Sequence, residues 1–210
     1  LREVVAQVGS TRFEAPFADV DGELDLEVEL APLGREVTWL PAYQNRGEGV
    51  FLSFSKTEIE ENWLTRPEVQ ERAGRLVAGF NVWCHRKKKD NAKFPGVPYI
   101  MLQSLAHLLI TAVSLDCGYS ASSIRERVYA GPSGYGILLY TGSPGSEGTL
   151  GGLVDIGRRI GRHLTNALER GRLCSNDPVC AQHDPADPHE ERFLHGAACH
   201  GCLLIAATSC

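Results

Sequence analysis

The clearest chemistry in this chain is sulfur at its carboxyl end. Seven cysteines occur in 210 residues, and five of them (Cys174, Cys180, Cys199, Cys202 and Cys210) crowd the last 37. Cys199-His200-Gly201-Cys202 is a C-x-x-C knuckle. Two thiolates at that spacing can hold one ion while nearby backbone amides support the sulfurs. Zinc takes four such ligands in a tetrahedron, with sulfur at about 2.3 Å. Cys210 supplies a third ligand, and Cys180 the fourth, with Cys174 as the alternative for that place. An all-thiolate shell leaves no open coordination position, so the Zn2+ is expected to be structural rather than catalytic. Disulfides are the competing reading, but clustered thiols without a sign of export favour metal. His183, His189, His195 and His200 lie close by in sequence and read as surface residues or outer partners of the ligands.

Two further groups of residues could do chemistry. The stretch from Gly142 to Gly152 is glycine-rich and follows an apolar run while preceding a helical pattern. Backbone amides in such a loop, with a helix N-terminus behind them, can bind an anion. Gly145, Ser146, Glu147 and Gly148 are therefore candidate contacts to phosphate or to a partner chain, against the plainer reading of a structural turn. The loop lacks the Gly-Lys-Ser/Thr ending of a nucleotide-binding P-loop and does not fit the dinucleotide spacing. His107 sits among Leu105, Leu108 and Leu109, where it could pair with Glu126 or Glu147 as a general base; a hydrogen-bonded core histidine is the plainer reading. Arg158, Arg159 and Arg162, with the run Arg86 to Lys89, are the basic patches. Without aromatic residues interleaved, they could offer only salt-sensitive, sequence-blind contact to phosphates.

Elements to position these groups can be read from hydrophobic period. Val4 to Val8, the alternating Leu24 to Leu30 and Val50 to Phe54 read as strands. Lys56 to Val82 has helical character, with Pro67 in the first turn of a second helix. Leu102, Leu105, Leu109 and Val113 form an apolar stripe on a helix that Gly118 ends. Ser123-Ile124-Arg125-Glu126 has capping-box spacing and is expected to start a short helix. Gly136 to Tyr140 reads as a buried strand. Leu153, Ile156, Ile160, Leu164 and Leu168 mark one stripe of a final helix. The fold class expected is α+β: a β-rich N-terminal module over residues 1–94, then a helical and mixed zinc-binding domain over 95–210. The loop Pro95-Gly96-Val97-Pro98 marks the boundary.

Composition bounds the rest. With 43% hydrophobic and 22% charged residues, the chain has the make-up of an ordinary soluble protein. A net charge of −5 gives no global attraction to nucleic acid or anionic membrane. Tyr99 to Leu115 is interrupted by Gln103, Ser104 and His107, and reads as a core helix too short and too polar to span a bilayer. Both ends look cut from something longer, and no signal segment precedes the first charged residues. A cytoplasmic location is the expectation.

The run from Tyr99 to Cys210 resembles the MrfA-type zinc-binding domain that trails certain bacterial helicases, and more specifically the helicase-associated subunits of the DISARM anti-phage system. The matching pieces are Leu105-Ala106-His107-Leu108-Leu109, Cys117 to Arg127, Ser146 to Leu153, Cys174-Ser175-Asn176-Asp177-Pro178-Val179-Cys180 and Gly196 to Cys202. Leu1-Arg2-Glu3-Val4, Trp39-Leu40-Pro41-Ala42 and Arg46 to Leu52 extend the likeness into the N-terminal half. Gln103 stands where the family often has a second histidine, and relatives run on beyond Cys210. The resemblance implies a zinc-binding accessory subunit that partners a DNA helicase, reaching DNA indirectly or through a local basic patch, with no activity of its own. The absence of a P-loop and of an acidic Walker-B strand agrees with that. A hydrolase using His107 and Glu147 beside the glycine-rich loop is the alternative.

Overall fold

The computed structural model describes residues 1–10, 17–18, 24–25, 31, 33–34, 36, 38–88, 91–141, 151–174, 178 and 182–185. The N-terminal strand β1 (Arg2–Ala6) is followed by the short strands β2 (Phe17–Ala18) and β3 (Leu24–Asp25), then by β4 (Ala42–Arg46) and β5 (Gly49–Phe54). β1 pairs antiparallel with β4, from Arg2 opposite Arg46 to Ala6 opposite Ala42. β1 thus begins two residues earlier than the apolar run at Val4 suggests. β2 and β3 pair with each other. The expected strand over Leu24 to Leu30 is described only at its first two residues; 26–30 lie outside the described residues.

After β5 the chain forms a π-helical segment, Glu58–Trp63, then α1 (Pro67–Lys87). Pro67 opens α1 as expected: its missing N–H is no loss in a first turn, and it holds Arg66 extended at ψ 134°. α2 (Val97–Cys117) ends at Gly118, which takes the left-handed conformation at φ 75° that a glycine adopts without steric cost. A 3₁₀ turn over Ala121–Ser123 leads into β6 (Ile124–Gly131), and residues 132 and 133 turn the chain into β7 (Gly134–Thr141).

β6 is a strand where the Ser-x-x-Glu spacing suggested a short helix. Ser123 Oγ donates back to the Ser120 carbonyl at 2.8 Å instead of capping forward amides. Ile124, Glu126, Val128 and Ala130 then alternate with Arg125, Arg127 and Tyr129 at the strand period, and the ladder to β7 satisfies the backbone. The last helix also differs. It is two helices, α3 (Gly152–Arg158) and α4 (Ile160–Arg170), broken at Arg159 (φ −120°, ψ 21°). The break resets the phase, so His163 and Ala167 turn inward and Leu168, expected on the apolar stripe, is 58% exposed.

The core is a three-stranded antiparallel sheet in the order β5-β7-β6 with α2 laid across one face. Leu102, Leu109, Ile110 and Val113 of α2 are fully buried against Ile137 and Leu139 of β7, with Leu153 and Ile156 of α3 and Ala167 of α4 closing the side. Eight residues of α2 are buried and, of the rest, only Leu115 and Asp116 are exposed, as expected of a central helix. By length and composition alone its 21 residues are enough to cross a membrane, contrary to the expectation from Tyr99 to Leu115. Its packing is that of a core helix. The sheet also bears on the domain boundary placed at 94/95: β5 comes from before it and pairs with β7 from after it, from Gly49 opposite Tyr140 to Phe54 opposite Tyr135.

Candidate functional site

The strand–loop–helix unit around the glycine-rich loop is present: β7 ends at Thr141 and α3 begins at Gly152. The loop itself, with Gly145, Ser146, Glu147 and Gly148, lies outside the described residues. The helix N-terminus beyond it is already occupied by an anion from the chain's own sequence. The Glu48 carboxylate, 7% exposed, accepts the Gly151 and Val154 amides on Oε2 at 2.8 and 3.3 Å, and the Leu153 amide on Oε1 at 3.1 Å. The Tyr119 hydroxyl donates to Oε1 at 2.7 Å. These are the unsatisfied first-turn amides of a helix, and a carboxylate there also favours the helix dipole.

Burial by itself raises the Glu48 pKa, but the hydrogen bonds from Tyr119, Gly151, Leu153 and Val154 outweigh it and hold the carboxyl below its ordinary value. The same contact, together with burial as the larger cause, pushes Tyr119 up to about 12. Glu48 is positioned by the β5 register: its carbonyl accepts the Thr141 amide at 3.0 Å, and Gly49 lies so close to the Leu139 carbonyl that a side chain would collide. At the other end of this contact Gly152 abuts the Cys117 carbonyl, where a Cβ has no room. The amides at the start of α3 that might have helped cradle a phosphate are therefore spent on Glu48. Sequence reasoning missed this residue; the one signal for it was the Gly47-Glu48-Gly49 bracket.

His107 is buried in the core and pairs with Glu126; Glu147, the other carboxylate considered, lies outside the described residues. Its Nε2 lies 2.9 Å from Glu126 Oε1, and Gln103 Nε2 lies 3.2 Å from the same oxygen and 2.9 Å from the histidine nitrogen. Gln103 and His107 are one helical turn apart on α2, and Glu126 reaches them from the inward face of β6. The Glu126 side chain is 2% exposed. The cluster is a core polar network linking helix to sheet.

Of the candidate zinc ligands only Cys174 is described; it is half-buried, three residues beyond the α4 cap at Gly171. Cys180, Cys199, Cys202 and Cys210 lie outside the described residues, as do His189, His195 and His200. Among the described residues no group of three His, Cys, Asp or Glu side chains could hold a metal. The segment just after Cys180 is nonetheless fastened to the N-terminal half. Arg72 of α1 donates to the His183 carbonyl at 3.2 Å, Arg75 lies 3.6 Å from the Asp184 carboxylate, and Pro185 is fully buried. Five thiols in 37 residues are a donor set suited to a structural zinc ion. Arg158, Arg159 and Arg162 are exposed, and Arg159 pairs with Asp155 one turn earlier.

Comparison with known proteins bears on the expectation of zinc. Residues 105–203 match the family model of the MrfA Zn-binding domain. The chain is also 38% identical over 213 aligned residues to the DISARM protein DrmB of Bacillus paralicheniformis. That alignment takes in all of this chain and 37% of the relative, so the chain spans just over a third of the length of the protein it matches. The chain is similar to DrmB along its whole length, and its second half matches the MrfA Zn-binding domain.

Proposed function

We propose that the chain is a non-catalytic accessory region that binds one structural zinc ion and docks on a DNA helicase subunit in DISARM-type anti-phage defence. The observation carrying this reading is the family match over 105–203, which contains Cys174, Cys180, Cys199 and Cys202 and stops short of Cys210. We take the four clustered thiols inside that span, Cys174, Cys180, Cys199 and Cys202, as the ligands, in place of a set that includes Cys210. Zinc supplies a fixed tetrahedral crosslink there, joining the tail to the helices before it. The occupied N-terminus of α3 supports a structural role for that helix over an anion site. Gly145, Ser146, Glu147, Gly148 and the arginines Arg158, Arg159 and Arg162 remain the proposed surface for the partner.

The hydrolase alternative has less behind it. His107 is held on Glu126 inside the core, away from bulk water. The test of the accessory reading is co-purification of the tagged chain with a DISARM helicase subunit. The expected result is a stable complex that falls apart when a strong zinc chelator is added. A chain that never retains the helicase, with or without zinc, contradicts the reading.

A further inference from the structure

The face of the β5-β7-β6 sheet away from α2 carries a pattern that a helical reading of Ser123 to Glu126 conceals. Along β6, Arg125, Arg127 and Tyr129 share that face at the strand period of two. On the far strand Phe51 stands on the same side, 56% exposed, opposite Leu138, which is itself opposite Arg127. The Phe51 ring leans over Gly136, whose missing side chain makes the room. It meets the Tyr129 ring edge to face, with centroids 5.7 Å apart and planes at 76°. Tyr129 is 42% exposed, and the Arg127 guanidinium lies 5.8 Å from its centroid. Arg125 is 3.6 Å from Glu3, which moderates its charge; Arg127 is exposed on the open side.

We infer that this sheet face is a binding platform for single-stranded nucleic acid, with Phe51 and Tyr129 stacking on bases and Arg127 contacting the backbone. Two exposed rings interleaved with guanidinium groups are the combination such strands require: a π surface for each base and a cation for the phosphates between them. An apolar protein partner would have to desolvate Arg127 without a counter-charge, which is costly. A duplex presents no base faces to stack on. The inference goes beyond the zinc-dependent accessory reading and rests on none of its residues.

The experiment is fluorescence anisotropy of the full chain with labelled oligothymidylate, oligouridylate and a duplex of equal length. Single strands are expected to bind well above the duplex, and the ratio of the two single-stranded arms tells DNA from RNA. Phe51→Leu and Tyr129→Leu, which keep apolar bulk over Gly136 but remove the π face, should each weaken binding about tenfold. Arg127→Ala should lower the slope of log affinity against log salt by about 0.7. Thermal midpoints near wild type certify that the variants are folded. Duplex binding equal to single-strand binding, or no binding at all, overturns the inference. So does binding unchanged in both leucine variants, or lost only when Arg158, Arg159 and Arg162 are replaced by alanine.

Discussion

Two regions of this molecule do the same job by different means. Near the entrance of α3, parts of the chain more than 100 positions apart are joined by Glu48, whose carboxylate satisfies three amides and a tyrosine hydroxyl. At the other end, the contacts described between the segment after Cys180 and α1 include the Arg72 bond to the His183 carbonyl and the Arg75–Asp184 ion pair, and Pro185 is buried. The first junction is complete within the polypeptide. The second is held by exposed or half-exposed polar contacts, and an isolated surface pair contributes about 1 kcal/mol or less. On the proposed reading, a metal crosslink would add most at the tail, where the polar contacts described are surface pairs, and not at the sheet–helix core.

The sharpest way to break the comparison is to cut the first junction. Glu48→Ala leaves three helix amides and the Tyr119 hydroxyl without their acceptor, and should cost about 3 kcal/mol or more of unfolding free energy in denaturant titration. Arg75→Ala, at the second junction, should cost under about 1 kcal/mol while zinc is bound. Equal losses would erase the distinction.

A smaller effect lies in pH. Because the folded Glu48 carboxyl is held below its unfolded value, its contribution is complete above the ordinary carboxylate range and is lost as pH falls through the lowered value. Tyr119 runs the other way. With its folded value at about 12, its contribution is whole below the unfolded value near 10 and disappears as pH rises from there towards 12. Wild-type stability, followed by thermal unfolding, should therefore fall on both flanks. Tyr119→Phe should lessen the alkaline fall, to which Tyr135 and Tyr140, also raised by burial, contribute, at a cost of about 1.5 kcal/mol near neutrality.

How much of this was legible beforehand depends on how local each signal is. The α2 stripe, its stop at Gly118, the start of α1 at Pro67 and the strand before the glycine-rich loop depend on neighbours within one element, and all were readable. Glu48 was not, because its partners lie 71 to 106 positions away and only the register of β5 on β7 brings them together. Ser123 to Glu126 misled for a related reason: the capping-box spacing is a local preference, and the β6 ladder to β7 overrides it. That one misreading also hid the Arg125, Arg127, Tyr129 face, since those residues share a side only at a period of two. The helix from Leu153 to Leu168 looked continuous because steps of three and four still fit on paper after the turn at Arg159 shifts the phase. For the cysteines, spacing alone permitted several ligand sets, and four of the five clustered thiols lie outside the described residues.

The central claim is that the carboxyl-terminal thiolates fasten the tail through one zinc ion. It is tested most directly by measuring bound zinc, by elemental analysis, in the purified chain and in Cys174→Ser and Cys210→Ser. The account predicts about one zinc per chain in wild type and in Cys210→Ser, with zinc lost from Cys174→Ser. A metal-free wild-type chain would contradict the claim itself; zinc retained in Cys174→Ser but lost from Cys210→Ser would contradict the proposed ligand set.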